Sequence, residues 1–580
     1  MKMKLLATAA ASILVLGAAE ARDETVRYTL TPVLEDGALT SLQVELKFLG
    51  DTDGETRLQL PDRWAGEVDY WRHVRDVEIE GAQRIREETQ PIRVLKHAPD
   101  APITVRYRVT DAYGKDPAVG EVNGNPYRPI VRPKWFSVLG NAIFAAPENE
   151  ESRPADFRWG PVPGGWTVAG DLDHAAMGAR TLVGDVQESV LVGGEGLKVS
   201  THKAAGADFR MAVIGDAWSF NGADLGAMVG RIIEAQRTYW KQPGETYFVA
   251  LTPMVTPNPD WVSIGGTGRD DGFSLYAGTN TELKNLPYLL AHEHMHTFNS
   301  RLLGGLPQKD EALGYWFSEG FTEFLTHRTL LRSEVWTLEE FVSRLNEDLD
   351  AYANSSARAA SNAEILKGFW TSAAVQKMPY YRGHWLAHLW EYRLRQATRG
   401  KRDMDDVMMA QLARAAKQGS GPGRLSADAL FPLVYLELGG PALDADIARH
   451  VIGGEPVLLP ADLFGTCARI ETVTRPPFHR GWDAEATTAA GNVVTGLKPN
   501  SPAYKAGMRN GMQIVKREFG VVGDSTVEYG IRVKNADGTE TVYRFMPVGE
   551  GPDMTFQKVV LTPGMDARAK ARCAKAMSGG

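Results

Sequence analysis

The chain has 580 residues, with 64 lysines and arginines against 72 aspartates and glutamates, a formal net charge of −8. That length exceeds what one hydrophobic core serves, so several domains are expected, and the acidic balance leaves no basic footprint for nucleic acid. A hydrophobic share of 43% with 23% charged residues is ordinary for a soluble globular protein.

Residues 1–21 have the layout of a secretory signal: Lys2 and Lys4, then an apolar run from Leu5 to Ala19, then the small-x-small stretch Ala19-Glu20-Ala21. The run is too short to span a bilayer comfortably, and no cysteine follows it to carry a lipid. A soluble exported protein, periplasmic or secreted, is expected from near Arg22, with no membrane span. Its two cysteines, Cys467 and Cys573, can pair in such a compartment or remain as buried thiols; sequence leaves both open.

From 22 to 155, short alternating runs (Val26 to Leu30, Ser41 to Phe48, Ile103 to Val109) are broken by glycine, proline and aspartate. They predict an antiparallel β domain, a sandwich, without a chemistry-bearing cluster. Strand patterns continue after 156 (Phe157 to Trp159, Arg210 to Ile214, Tyr247 to Leu251), interrupted by a helical period from Gly226 to Tyr239. Next comes a glycine-rich strand, Ile264-Gly265-Gly266-Thr267-Gly268, followed by Arg269, Asp270 and Asp271. Glycines there would let a substrate backbone approach a sheet edge, though an ordinary turn has the same composition. Gly265, Gly266, Asp270 and Asp271 are therefore candidate substrate-binding residues.

From Leu283 to about Leu463 the periodicity is helical, with helices expected over Glu339 to Tyr352, Tyr380 to Arg399 and Asp403 to Lys417. The first helices carry the chemistry. In His292-Glu293-His294-Met295-His296 the outer histidines stand one turn apart on one face, so both imidazoles reach one ion with Glu293 beside it. A hydrolytic zinc takes a third protein ligand and keeps one position for water. Glu319 is the natural third, separated from His296 by 22 intervening residues, in the helical stretch Trp316-Phe317-Ser318-Glu319-Gly320-Phe321-Thr322-Glu323. One zinc per chain is expected on His292, His296 and Glu319, with Glu293 as general base, and His294 points elsewhere. Glu323, one turn past Glu319, can orient a ligand histidine from behind, but more often such a position is solvated. His384 and His388 are also one turn apart; without a third ligand nearby they read as packed histidines.

The last hundred residues change character, with short strands and a small helix start at Ser501-Pro502-Ala503 closed by Gly507.

Several stretches together resemble the glycyl aminopeptidases that carry a C-terminal PDZ domain, family sixty-one of the metallopeptidases in the gluzincin clan. His292-Glu-His-Met-His-Thr-Phe-Asn-Ser-Arg301 is similar to that family's HExxHxWNxKR, and Trp316-Phe-Ser-Glu-Gly-Phe-Thr322 to its WxxEGxT. Tyr380-Tyr-Arg-Gly383 resembles YxKG, Thr398 to Met408 resembles TxGKxSLDDVM, and Ser501-Pro-Ala-Tyr-Lys-Ala-Gly507 has the SPAxxAG pattern of PDZ domains. The resemblance implies a multi-domain α+β chain: an N-terminal antiparallel β domain at 22–155, a thermolysin-like α+β zinc peptidase domain at 156–465 and a PDZ-like domain at 466–575. It also implies Tyr380 as the donor to the oxyanion, with Tyr381 as its rival. In one place the chain departs: the relatives carry Gly-Gly-x-Glu-His on the substrate-edge strand, the glutamate holding the peptide's free amine, whereas here Gly268 and Arg269 follow Thr267.

The expected function is an exported zinc peptidase acting on peptides or proteins, an aminopeptidase releasing N-terminal glycine or alanine, with a peptide tail as a possible partner of the PDZ-like domain. The departure favours an endo- or oligopeptidase as the alternative. A PDZ-based binding or chaperone-like protein with a vestigial metal site is a third reading, against which the intact His292, Glu293, His296 and Glu319 count.

Overall fold

The computed structural model describes residues 24–118, 126–242, 246–256, 262–269, 271–307, 309–418, 423–535 and 537–579. The leader expected at 1–21 and the candidate residue Asp270 lie outside them.

In the N-terminal module, β1 (Val26–Glu35), β2 (Ala38–Leu49), β3 (Val74–Glu80), β4 (Pro102–Val109) and β5 (Pro154–Trp159), with Thr181–Leu182 at the edge, form one sheet in the order edge, β5, β1, β2, β4, β3. Side chains alternate across it: Val26, Tyr28 and Leu30 of β1 and Ile103, Val105 and Tyr107 of β4 enter the core. The buried hydroxyls find acceptors, Tyr28 donating to Ala145 O (3.1 Å) and Tyr107 to Ile143 O (2.8 Å). Two four-stranded sheets pack with it. The boundary expected at 155 is corrected here. β5 pairs in parallel with β1, Val26 opposite Ala155 through Leu30 opposite Trp159, and the same core continues through Val192 and Leu197. The polar, proline-containing break before 155 is a crossover connection, and the module runs to about 197.

The next sheet comprises β6 (Lys198–Ala204), β7 (Ala207–Val213), β8 (Tyr247–Met254), β9 (Ile264–Gly268) and β10 (Gly272–Gly278), in the order β6, β7, β8, β10, β9. β7 and β10 run parallel to β8, while β9 lies antiparallel to β10 at the edge. The crossover between β7 and β8 is α1 (Gly222–Trp240), capped by Asn221 Oδ1 accepting from Asp224 N at 2.8 Å. Phe248 and Ala250 of β8 face the N-terminal core, whereas Val249 and Leu251 face the helices. The glycine-rich strand lies where the sequence places it, Ile264–Gly268, and forms a hairpin with β10.

α2 (Pro287–His296) packs on β9 and β10, α3 (Tyr315–Arg332) packs on α2, and α4 (Leu338–Asn354) and α5 (Met378–Thr398) pack on α3. Pro287 opens α2, and a Thr337/Glu340 capping box opens α4. α3 is buried along almost its whole length. Its contact with α5 is set by two glycines. A Cβ on Gly320 would stand 2.3 Å from Gly383 Cα, and one on Gly383 would stand 1.8 Å from Trp316 O. Only bare backbone allows that approach, and it brings the start of α5 beside the middle of α3.

The C-terminal boundary also shifts. β11 (Ala468–Arg475) leads into a small antiparallel sheet of β12 (Gln513–Phe519), β13 (Tyr529–Lys534) and β14 (Glu540–Phe545), and β15 (Met554–Leu561) returns to pair with β11. Residues between β11 and β15 have their own core of Trp482, Val494, Leu497, Met508, Ile531, Val533 and Phe545. The flanks belong to the helical body: Ile470, Val559 and Met577 share its core, and Asn346 of α4 bonds both N–H and carbonyl of Val559 (2.7 and 3.0 Å). The final helix α6 (Ala567–Met577) is joined to the start of β11 by the Cys467–Cys573 disulfide. Closing 106 residues this way contributes about 4–5 kcal/mol in chain-entropy terms. No helix among the described residues is long and apolar enough to cross a membrane.

Candidate metal centre

Three nitrogen and oxygen donors converge where α2 meets α3. His292 Nε2 and His296 Nε2 are 3.2 Å apart, and Glu319 Oε2 lies 3.3 Å from the first and 3.4 Å from the second. Zinc bound at about 2.0–2.1 Å in tetrahedral geometry spaces its ligand atoms about 3.3–3.4 Å apart, so the triangle already has the size the ion requires. The far side of each imidazole agrees. His296 Nδ1 is 3.1 Å from Asn299 O and His292 Nδ1 is 3.1 Å from Glu323 Oε1, which places the ring protons at Nδ1 and the lone pairs at Nε2. The residues fit zinc.

Without the ion these groups charge one another. Burial opposes the anion at Glu319, yet His296 and His292 overcome it and hold its carboxyl well below the usual range. Burial likewise opposes a charge on His292, but Glu319 and Glu323 raise it to about 10.

Glu293 faces the edge strand. Its Oε2 accepts from Gly268 N at 2.7 Å, and a Cβ on Gly268 would stand 2.9 Å from that oxygen, so glycine is what lets the strand come this close. Burial pushes its carboxyl above the ordinary range, although His292 and His296 work the other way. Tyr380, at the start of α5, stacks on His292 (5.8 Å between centroids, 19° between planes). Burial, with Glu319 and Glu293 nearby, raises its hydroxyl well above the usual phenol range and keeps it a donor. Tyr381 instead packs on Tyr352 (6.2 Å). His294 turns away, with Nδ1 2.6 Å from Gln236 Oε1.

Of the two readings of Glu323, the structure shows the buried one, 4% exposed, facing His292 and accepting from Tyr288 OH. One expectation is corrected. His384 is not without neighbours of ligand type, since it stands beside Asp348 and His327. His388, 4% exposed, packs edge-on against Phe324.

Gly265 and Gly266 lie on β9 as expected, but Gly266 is required from within, because a Cβ there would come 2.4 Å from the Phe273 ring. Asp271 is directed toward Arg301 (3.9 Å) and keeps company with Tyr247 and Asp171. The position where the relatives carry glutamate holds Gly268, and Arg269, which follows it, is buried and already engaged. It donates to Glu188 O (3.0 Å), pairs with Glu188 Oε2 (2.8 Å) and lies 4.3 Å over the Trp64 ring, clamping the hairpin to the N-terminal module.

Sequence reasoning assigned no role to Gly268, Tyr288 or Asn299. Asn299 Nδ2 donates to Thr322 Oγ1 (2.9 Å) and Ser318 O (3.2 Å), tying the carbonyl that faces His296 to α3. The only sequence signal for it was its place in the His292-to-Arg301 motif.

Residues 285–383 match the family model described as M61 glycyl aminopeptidase. That segment carries His292, Glu293, His296, Glu319, Glu323 and Tyr380, and over it the resemblance read from the motifs holds. A solved aminopeptidase N family protein from Idiomarina loihiensis shares the fold across 96% of this chain and 99% of its own, at 15% identity and a TM-score of 0.65. An M1 zinc metallopeptidase from Deinococcus radiodurans aligns over 75% of this chain and 96% of its own, at 14% identity and a TM-score of 0.45. No curated protein matches the chain significantly. The centre is that of a zinc metallopeptidase.

Proposed function

We propose that the chain is an exported zinc-dependent aminopeptidase that releases small residues, glycine or alanine, from the N-termini of peptides. The observation that carries this is the convergence of His292, His296 and Glu319 with Glu293 held against an edge strand by Gly268 N–H.

Bound there, zinc would polarise the scissile carbonyl and lower the pKa of a coordinated water toward about 7. Glu293 accepts the proton that water loses and delivers it to the departing amine; its raised affinity for protons suits both steps. The Tyr380 hydroxyl, held protonated, donates to the oxygen on which negative charge develops. Glu323 and Asn299 O fix the rings of His292 and His296 from behind. A peptide backbone laid along β9 as an added strand would be aligned by main-chain hydrogen bonds, with Gly265 opening the approach.

Export is supported by the leader layout of residues 1–21 and by the Cys467–Cys573 disulfide, which belongs to an oxidising compartment. The small C-terminal core and the Ser501 cap, whose Oγ accepts from Tyr504 N at 3.2 Å, support a PDZ-like module that binds a peptide tail.

A second reading, an endo- or oligopeptidase, is favoured by Gly268: the position expected to hold an amine-binding carboxylate has no side chain, and the next residue, Arg269, is a cation locked onto Glu188 and Trp64. Hydrolysis rates on glycine and alanine chromogenic substrates with a free amine, set beside an N-blocked internal peptide, separate the two. Cleavage of the free-amine substrates alone is expected. Cleavage of the blocked peptide alone would replace the aminopeptidase by the second reading.

A further inference from the structure

Behind His292, on the side away from the substrate edge, three helices bring a second set of ligand-type side chains together: Glu323 and His327 from α3, Asp348 from α4 and His384 from α5. One donor atom from each lies within 4.8 Å of all the others. His327 Nε2 is 3.3 Å from Asp348 Oδ2, His384 Nδ1 is 3.7 Å from the same oxygen, and Glu323 Oε2 is 3.7 Å from the other nitrogen of His327, Nδ1. His327 and His384 are 2% and 0% exposed.

Two further observations point to a ligand. His327 Nδ1 is 2.8 Å from the Glu323 carbonyl one turn back, so its proton is committed there and Nε2 presents a lone pair to the cluster, the arrangement of a metal-bound imidazole. His384 is fully buried and neither ring nitrogen has a hydrogen-bond partner, although Nδ1 faces the cluster. A plain His327–Asp348 ion pair would account for the first and leave the second unexplained, because 3.7 Å is beyond a hydrogen bond. Burial holds the His384 imidazole well below its usual range, neutral and ready to coordinate.

We propose that His327 Nε2, His384 Nδ1, Asp348 Oδ2 and Glu323 Oε2 hold a second divalent cation of the zinc class. Two nitrogens and two oxygens fill a tetrahedral shell and leave no position for water, so this ion is structural. It staples α3, α4 and α5, and two of these helices carry Glu319 and Tyr380. Glu323 links the centres, one carboxylate oxygen on the new ion and the other facing His292. The proposal goes beyond the single catalytic zinc of the proposed function and takes from it only the role of His292.

The test is metal content of the full-length protein after zinc reconstitution and removal of free metal, together with anomalous diffraction at the zinc edge. About two zinc ions per chain are expected, one peak among His292, His296 and Glu319 and another among the four residues named here. His384→Ala and Asp348→Asn should each lower the content to about one and erase only the second peak, whereas His296→Ala should erase only the first. Should these variants fail to fold, the unmodified protein still decides. A single peak at the first centre with one zinc per chain overturns the proposal, and a peak at the second position alone supports it while removing the catalytic reading.

Discussion

Glu323 Oε1 stands 3.1 Å from His292 Nδ1, and the same oxygen accepts from Tyr288 OH. A carboxylate on the rear nitrogen of a metal-binding imidazole fixes the ring and strengthens the lone pair in front. Glu323→Gln keeps the size but weakens the acceptor, so metal affinity at the catalytic centre should fall by about 10- to 100-fold, the usual effect of losing such a partner. Competition with a chromophoric chelator measures it; unchanged affinity would mean that Glu323 is packing alone.

Gly268 is a sharper probe because it touches the base and none of the ligands. Its missing Cβ makes room for Glu293 Oε2, which a methyl group would meet at 2.9 Å, and its N–H holds that oxygen. Gly268→Ala should therefore leave zinc content unchanged and lower kcat by at least about tenfold, since a displaced base loses part of the 10²- to 10⁴-fold that proton transfer supplies. Steady-state kinetics at equal zinc occupancy checks this, and an unaltered kcat would show that the contact does not position Glu293.

The charges of the ligand groups predict a pH signature. In the metal-free protein burial opposes the His292 cation, but Glu319 and Glu323 raise it to about 10. A pKa raised on folding means that this pairing contributes full stability below the unfolded imidazole value of about 6.5 and loses it as pH climbs through about 10. Zinc needs the ring deprotonated, so binding at pH 7 should release about one proton from His292. Calorimetric zinc titrations in buffers of differing ionisation heat read that proton directly. Zinc uptake with no proton release would contradict the assignment of His292.

How much of this was legible in the residues depends on the distance over which the information acts. His292, Glu293 and His296 lie within one turn of one helix, where spacing alone dictates a shared face. Glu319 was legible as a glutamate on the next amphipathic helix. The second cluster was not, because Asp348, His327 and His384 meet only through the packing of three helices, and the His384/His388 spacing pointed to the wrong pair. At Glu323 the residues left an orienting and a solvated position both open, since nothing local shows that α3 is covered on almost every side. The domain boundaries failed for a related reason. The connection before Pro154 has the composition of a linker, yet β5 continues the sheet of β1, and β15 returns past the C-terminal module to rejoin β11. Long-range strand pairing leaves no local trace. Gly320 and Gly383 were visible only as motif letters, and the close crossing of α3 and α5 supplies their physical cause.

The central claim is that His292, His296 and Glu319 hold a zinc ion at which Glu293 moves the proton. The most direct measurement is kcat/KM of Glu293→Gln against the unmodified enzyme at equal zinc occupancy. Zinc should remain bound, because Glu293 is not among the ligands, and turnover should fall by about 10²- to 10⁴-fold. A variant that keeps its zinc and hydrolyses peptides at the unmodified rate would contradict the account.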